Sequence, residues 1–256
     1  MTRRKQLPEH VITFTEDFIM KNIVKYFKLL KFGLQTRTMA ILAAVFGALG
    51  IVYELIDFNS DGLIPFSGLY LGLAGMYIYQ VVITSGVSSL VQVSPLKKKL
   101  LCAAPVIFTG ITTTLTFTIF VILRLTIGVD RFVKNNPGSD TTICYVNIIA
   151  SAALLAFLFL YFSFSYRYYI VSTVIMAIIL FPCLIIFVRS DFYITASIMS
   201  SVSNLISVFG KAGAVILSYL ILWAGCLICY LCNLALYRKP LSSIAYRSAL
   251  RQASAK

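Results

Sequence analysis

The chain has 256 residues, of which 59% are hydrophobic and 12% are charged, and its mean hydropathy is +0.90. Soluble domains carry about 25% charged residues, so the composition excludes an ordinary soluble domain and predicts an all-α membrane protein. A formal net charge of +13 would favour nucleic-acid binding in a soluble chain. Here the cations lie between apolar segments, and we predict no nucleic-acid partner.

The N-terminal region predicts a helix that lies flat on a membrane. "MTRRKQLPEH" leads into a stretch too charged for the apolar core of a secretory signal. From residue 19 to 34, a period of about 100° per residue places an apolar face opposite a row of lysines. The predicted membrane-surface residues are Lys21, Lys25, Lys28, Ile23, Phe27 and Leu30. Such a helix rests in the inner headgroup layer with its lysines toward anionic lipid.

Six segments are long and apolar enough to cross a bilayer, which takes about 20 residues. They cover about residues 39–57, 66–93, 100–127, 143–165, 168–188 and 213–236. Arg167 divides one long apolar run into the fourth and fifth spans. We predict a single transmembrane domain over 1–256. It begins with a cytoplasmic tail and the membrane-surface helix, which we call the elbow helix, at 1–38. A six-span bundle at 39–236 and a basic tail at 237–256 follow.

The distribution of charge predicts the orientation. With both termini inside, 17 of the 22 Lys and Arg residues lie on the cytoplasmic side, as expected because cytoplasmic loops are enriched in cations. The predicted localisation is the cytoplasmic (plasma) membrane, with multiple spans. Glu54 and Arg124 fall near the outer ends of spans one and three, where we expect both side chains to reach water or headgroups.

An amphipathic segment precedes the last span. Between residues 189 and 213, apolar residues recur at helical spacing with serines and Asn204 between them. Polar groups at membrane depth need protein partners or a wet cavity. We therefore predict a short amphipathic or re-entrant helix at the outer interface that packs on the bundle or lines a vestibule.

Span three carries a polar face. The candidate residues are Thr109, Thr112, Thr113 and Thr116. Threonine hydroxyls commonly bond to carbonyls of their own helix or join helices together. The same face can also line a translocation path, and the sequence leaves both interpretations open.

Small residues predict close helix packing. Ala40, Ala44 and Ala48 repeat every four residues in span one, and Gly68 with Gly72 forms a GxxxG pattern in span two. Either pattern suits close crossing, within a subunit or between subunits.

The sequence has no recognisable catalytic constellation. The six cysteines include a C-x-x-C-x-x-C in span six, but this spacing spreads the thiols around the helix and lacks a second ligand cluster. No phosphate-binding loop, intramembrane carboxylate pair or zinc-protease motif occurs. We predict no metal site and no cofactor in this chain, and we predict that it is not an enzyme.

The elbow helix, six spans, short basic loop after span two and amphipathic segment before span six together resemble the membrane subunit of an ABC-2-type (type V) ABC exporter. The resemblance concerns architecture over nearly the whole chain. Within that family, the chain resembles in its small size the bacterial permeases that export peptide toxins or bacteriocins.

The resemblance implies a role for the loop after span two. Its short helix would dock on a separate ATPase subunit that binds ATP and Mg²⁺. The implied ATPase-coupling residues are Ser94, Pro95, Leu96, Lys97, Lys98, Lys99 and Leu100. From the residues alone, the lysines also fit simple topology anchors.

The other implied partners are a second copy or a sister permease and membrane lipid, and the implied substrate is hydrophobic or amphipathic, such as a peptide. The alternative function is a nucleotide-independent channel-like or scaffolding membrane protein.

Overall fold

A computed structural model describes residues 36–56, 63–86, 98–135, 141–165, 167–180, 193–237 and residue 242. The predicted elbow helix, most of the loop after span two and the basic tail lie outside the described residues. Within the described ranges the chain is helical and contains no strand. The helices are α1 (Thr36–Ile56), α2 (Phe66–Gly86), α3 (Ala104–Leu123), α4 (Val129–Asn135), α5 (Thr142–Ser165), α6 (Tyr169–Ile175) and α7 (Tyr193–Ala235).

Five described stretches are long and apolar enough to cross a membrane. They are Arg37–Ile56, Phe66–Ile83, Leu101–Lys134, Thr142–Ser165 and Thr195–Ala235. These correspond to predicted spans one to four and six. The described part of predicted span five, α6 and the π-helical turn Met176–Leu180, is shorter than a crossing, and the remainder lies outside the described residues.

The long third stretch combines α-helical and π-helical turns. π-Helical turns Lys99–Ala103 and Arg124–Gly128 precede and follow α3. Pro105 lies in the first turn of α3 and has no N–H to donate to the carbonyl of Leu101, so the α-helical bond pattern is interrupted just before it. At the other end, the N–H of Val129 donates to the carbonyl of Arg124, five residues back.

Helix α5 lies at the centre of the bundle. In α5 and α2, 61% and 56% of the spanning residues are buried, against 17% in α1. Helix α5 packs mainly on α7, while α1 packs mainly on α2. The exposed apolar side chains of α1 and α7 therefore form much of the surface available to lipid.

Glycines allow α2 and α7 to approach α5 closely. A Cβ on Gly68 would lie 2.7 Å from Oγ of Ser151, and one on Gly225 would lie 2.6 Å from Cα of Ala156. The predicted close crossing through Gly68 and Gly72 is thus made within the chain. The predicted alanine face of α1 is different, because Ala40, Ala44 and Ala48 are all exposed.

The helix is interrupted where the sequence predicts the boundary between spans four and five. Helix α5 ends at Ser165 and α6 begins at Tyr169, after Tyr168 leaves helical geometry with φ −119° and ψ 54°. The N–H groups of Arg167 and Tyr168 both donate to the carbonyl of Phe164. Arg167 therefore occupies the turn itself.

Helix α7 is interrupted at Gly210, where φ is 76° and ψ is 168°. In the preceding part, 193–209, Thr195 and Ile206 are buried while Ser197 and Asn204 are exposed. Its apolar side chains divide: Ile198, Met199, Val202 and Ile206 pack on the core, whereas Leu205, Val208 and Phe209 are exposed. The predicted amphipathic helix before the last span is present, and it packs on the bundle.

Candidate functional site

An ion pair lies buried inside the helix bundle. Nη1 of Arg124 donates to Oε1 of Glu54 over 3.0 Å, and only 3% and 1% of the two residues are exposed. The hydroxyl of Ser67 donates to Oε2 of the same carboxylate over 2.6 Å. Charge is costly at membrane depth unless it is paired and hydrogen-bonded. Both carboxylate oxygens of Glu54 are satisfied here.

This pairing corrects a prediction. From their positions in the sequence, Glu54 and Arg124 were each expected to reach water or headgroups independently. Instead both point inward, because the last turn of α1 and the π-helical turn after α3 meet beside the first turn of α2. The pair is 70 residues apart in the chain. Helical periodicity within single segments could not connect it.

A lysine anchors α7 at the same end of the bundle. Lys211 follows the interruption at Gly210, and its Nζ donates to Oγ1 of Thr141 over 2.9 Å. The ammonium also lies 5.8 Å from the centre of the Tyr145 ring, within the range of a cation–π contact. The helical part of α7 that spans the bundle therefore starts at the N-terminus of α5. We call this side of the molecule the Glu54 end.

A second polar cluster lies at the opposite end and centres on Asn233. The side-chain nitrogen of Asn233 donates to the hydroxyl of Tyr79 over 3.2 Å. Its backbone carbonyl accepts from Sγ of Cys102 at 3.4 Å and from Nη1 of Arg167 at 3.2 Å. Four segments meet here: α2, the start of the α3 stretch, the α5–α6 turn and α7. We call this side the Asn233 end.

The chemistry of a helix terminus explains this cluster. The last carbonyls of a helix have no N–H partner four residues on, and the N–H of Tyr237 bonds Leu234 rather than Asn233. Arg167 supplies the missing donor, with its positive charge at the negative end of the helix dipole. Burial lowers the pKa of the Arg167 guanidinium, while the neighbouring Cys102 and Tyr79 act in the opposite direction. A guanidinium remains protonated at neutral pH.

The sequence indicated Arg167 but not its partners. Asn233 is the sole amide side chain in the predicted span 213–236, and a polar amide in an apolar span is a signal for an interhelical bond. That signal marks the residue without identifying Tyr79 or Cys102 as its neighbours.

The threonine face divides into two kinds of contact. Thr112 donates to the carbonyls of Phe108 and Thr109, and Thr116 donates to those of Thr112 and Thr113. These bonds remain within the helix. Thr109 and Thr113 are buried instead, and neither hydroxyl has a hydrogen-bond partner.

Glycine packing accounts for the position of one of these hydroxyls. Oγ1 of Thr113 lies 3.3 Å from where a Cβ would stand on Gly75, so it lies against the backbone of α2. A Cα–H group can make a weak hydrogen bond to such an oxygen. The helix-packing interpretation of this face is thereby supported, and its part in a translocation path stays a prediction.

Only part of the predicted coupling segment is described. Lys98 is exposed, and the π-helical turn that begins at Lys99 contains Leu100. Ser94, Pro95, Leu96 and Lys97 lie outside the described residues, as do all six predicted membrane-surface residues of the elbow helix.

The thiols of α7 face different neighbours. Cys229 is buried, with Sγ 3.8 Å from the side-chain nitrogen of Asn233, whereas Sγ of Cys226 lies 3.3 Å from a Cβ position on Gly110. Among the residues that the structure describes, no group of three His, Cys, Asp or Glu could hold a metal ion.

An apolar groove runs between α3 and the spanning part of α7. Its volume is about 650 Å³. It is lined by Ala103, Val106, Ile107, Gly110, Ile111, Thr114, Leu115, Trp223, Cys226, Leu227 and Tyr230. The hydroxyl of Thr114 bonds the carbonyl of Gly110 over 2.7 Å, so it adds little polarity to the surface.

The apolar spanning helices, with charged groups paired inside them, indicate a multi-pass α-helical membrane protein. Comparison with known proteins adds no narrower class. No protein-family model, no curated protein and no solved structure matches the chain.

Proposed function

We propose that this chain is the membrane-spanning permease subunit of an ATP-driven exporter of the ABC-2 type. A separate ATPase subunit binds ATP and Mg²⁺ and drives the cycle, and a second copy or a sister permease completes the transport unit. The substrate class is hydrophobic or amphipathic, with peptides the leading candidates. Both termini lie in the cytoplasm of a bacterial cell.

This proposal rests mainly on the interruption of α7 at Gly210. An amphipathic helix at 193–209 packs on the bundle and is separated from the last span by Gly210. An amphipathic segment before the last span is one of the features that carry the resemblance to this family. The last span is held at both ends by hydrogen bonds. Lys211 bonds Thr141 at one end, and Arg167 bonds the carbonyl of Asn233 at the other.

The positions of these contacts support an even number of crossings. Arg167 lies at the Asn233 end, and Lys211 lies at the Glu54 end. In this proposal the predicted fifth span, 168–188, connects the two ends of the bundle. With six spans both termini lie on one side.

The Asn233 end is also suited to receive force from an ATPase. The predicted coupling segment leads through Lys98 into the start of the α3 stretch, where Cys102 bonds the carbonyl of Asn233. Arg167 bonds the same carbonyl from the α5–α6 turn. A push on the segment would thus reach α3, α7 and the α5–α6 turn together.

Co-purification tests the proposal. The tagged full-length chain is isolated from its native membrane, as wild type and as a variant with Lys97, Lys98 and Lys99 changed to Glu and Leu96 and Leu100 changed to Ser. We expect an ATPase subunit to accompany the wild type and to be lost from the variant. A control variant, Lys134→Glu, reverses the charge of an exposed cation at the opposite end and should retain the ATPase.

Two results would reject the exporter. One is transport by the purified chain reconstituted with no ATPase. The other is the absence of an ATPase from both preparations, which would favour the nucleotide-independent channel or scaffold and leave the lysines as topology anchors.

A further inference from the structure

The groove between α3 and α7 has the dimensions of a ligand site for a single acyl chain. Its volume of about 650 Å³ lies within the range of about 300–1,000 Å³ that is typical of ligand sites. From Ala103 to Leu115 it follows α3 for about 18 Å at 1.5 Å per residue. That is close to the depth of one leaflet, half of a hydrocarbon core of about 30 Å.

Small residues create the space. Ala103 and Gly110 lie on the α3 side, and larger side chains such as Ile111 and Trp223 stand beside them. Trp223 is 61% exposed. An apolar cleft at membrane depth, open along its length, is a surface that an alkyl chain can fill by dispersion contacts.

None of the described residues that line this groove is charged, and cations lie beyond one end of it. Ala103 follows Cys102, and Lys98 precedes Cys102 by four residues, about one helical turn. On the α7 side, Arg167 bonds the carbonyl of Asn233, one turn beyond Tyr230. Two basic residues thus lie about one helical turn beyond this end of the groove, Arg167 half-buried and Lys98 exposed.

We propose that this groove is a specific site for an anionic phospholipid, with one acyl chain between α3 and α7 and the phosphate at Arg167 and Lys98. Arg167 has five N–H donors, and the carbonyl of Asn233 occupies only part of that set. A guanidinium fork suits a phosphate group, and Lys98 adds a second positive charge. The site shares Lys98 with the predicted coupling segment, but its test uses the chain without an ATPase, so either proposal can fail while the other stands.

The chain carries its own reporter for this site. Trp223 is the single tryptophan among 256 residues, and it lines the groove. Bromine atoms on an acyl chain quench tryptophan fluorescence on contact. The full-length protein is reconstituted in phosphatidylcholine vesicles that contain, at one fixed mole fraction, either brominated phosphatidylglycerol or brominated phosphatidylcholine.

We expect stronger quenching by the brominated phosphatidylglycerol. Each of the two basic residues should raise the affinity for phosphatidylglycerol relative to phosphatidylcholine about fivefold. Lys98→Gln and Arg167→Gln should each reduce the preference, while Arg167→Lys, which keeps the charge but loses the guanidinium fork, should give an intermediate preference. Thr114→Phe fills the groove without changing charge and should abolish the preference. Lys134→Gln removes an exposed cation at the Glu54 end and should leave it unchanged.

Lys98 is exposed, so Lys98→Gln tests the proposal even if the Arg167 variants fold poorly. Equal quenching by the two lipids would overturn it, since the groove would then accept lipid without reading the headgroup. Weak quenching by both would overturn it too, because protein, such as a second copy, would cover Trp223. A preference that survives both cation changes would reveal general surface charge instead of a site.

Discussion

Arg124 and Glu54 form a buried ion pair whose closest atoms, Nη1 and Oε1, are 3.0 Å apart. The pair joins the end of α1 to the π-helical turn after α3, and Ser67 adds α2 through its own bond to the carboxylate. Helix α1 is otherwise the least buried of the spanning helices. The ion pair is therefore a main attachment of α1 to the rest of the bundle at this end.

Removing one charge of this pair should be more damaging than removing both. Glu54→Gln leaves the Arg124 guanidinium buried without its counter-charge, which typically costs about 3–5 kcal/mol. The double variant Glu54→Met with Arg124→Met removes both charges and should recover most of that loss. Equilibrium unfolding of the purified protein in mixed micelles measures both. A double variant that is less stable than Glu54→Gln would contradict this prediction.

The contact between Gly225 and Ala156 predicts a strict size limit. A Cβ at residue 225 would stand 2.6 Å from Cα of Ala156, and backbone atoms cannot move aside as a flexible side chain can. Gly225→Ala should therefore destabilise the protein by about 1–3 kcal/mol, measured as the shift of the unfolding midpoint in detergent.

Gly47→Ala is the matched control for this substitution. There the nearest atom to a new Cβ is the Cβ of Ala74 at 3.9 Å, an ordinary contact. Because alanine is a better helix former than glycine, this variant should be as stable as wild type or more stable. If Gly225→Ala were equally well tolerated, α5 and α7 would not approach as closely as described.

Sequence patterns predicted the features that depend on one segment at a time. Hydropathy located five of the spanning helices to within several residues, Arg167 marked the turn between α5 and α6, and the serine-rich amphipathic stretch was recognised before Gly210. Each follows from the local period of apolar side chains or from an interruption of it.

Contacts between segments were not predictable in this way. Glu54 with Arg124 and Tyr79 with Asn233 are separated by 70 and 154 residues, and their partners depend on how the helices rotate about their axes. The apolar groove has the same origin, since Gly110 and Cys226 become neighbours only when α3 and α7 cross. A hydropathy profile contains no information on either rotation or crossing.

The bond between Asn233 and Tyr79 should make a measurable but small contribution. Side-chain hydrogen bonds between membrane helices average about 0.6 kcal/mol in double-mutant cycles, with a maximum near 1.7. We expect a coupling energy in this range between Asn233→Leu and Tyr79→Phe, from unfolding of the two single variants and the double variant. A coupling of zero would contradict the bond between Tyr79 and Asn233.

Gly210 predicts the effect of a single added methyl group. With φ at 76° and ψ at 168°, it occupies a backbone region that is essentially restricted to glycine, and another residue there costs about 1–3 kcal/mol. No atom lies within 4 Å of a new Cβ, so any loss must come from backbone strain and not from a clash.

Gly210→Ala should accordingly lower stability by about 1–3 kcal/mol, or straighten α7 and separate Lys211 from Thr141. Ala212→Ser, an exposed change two residues along in regular helix, is the control and should have little effect. Unfolding in micelles reports the stability, and cysteines introduced at residues 141 and 211 report the distance through crosslinking. If Gly210→Ala were as stable as wild type and crosslinked equally well, α7 would already be continuous through residue 210 in the wild type. The description of 193–209 as a separate helix would then be wrong.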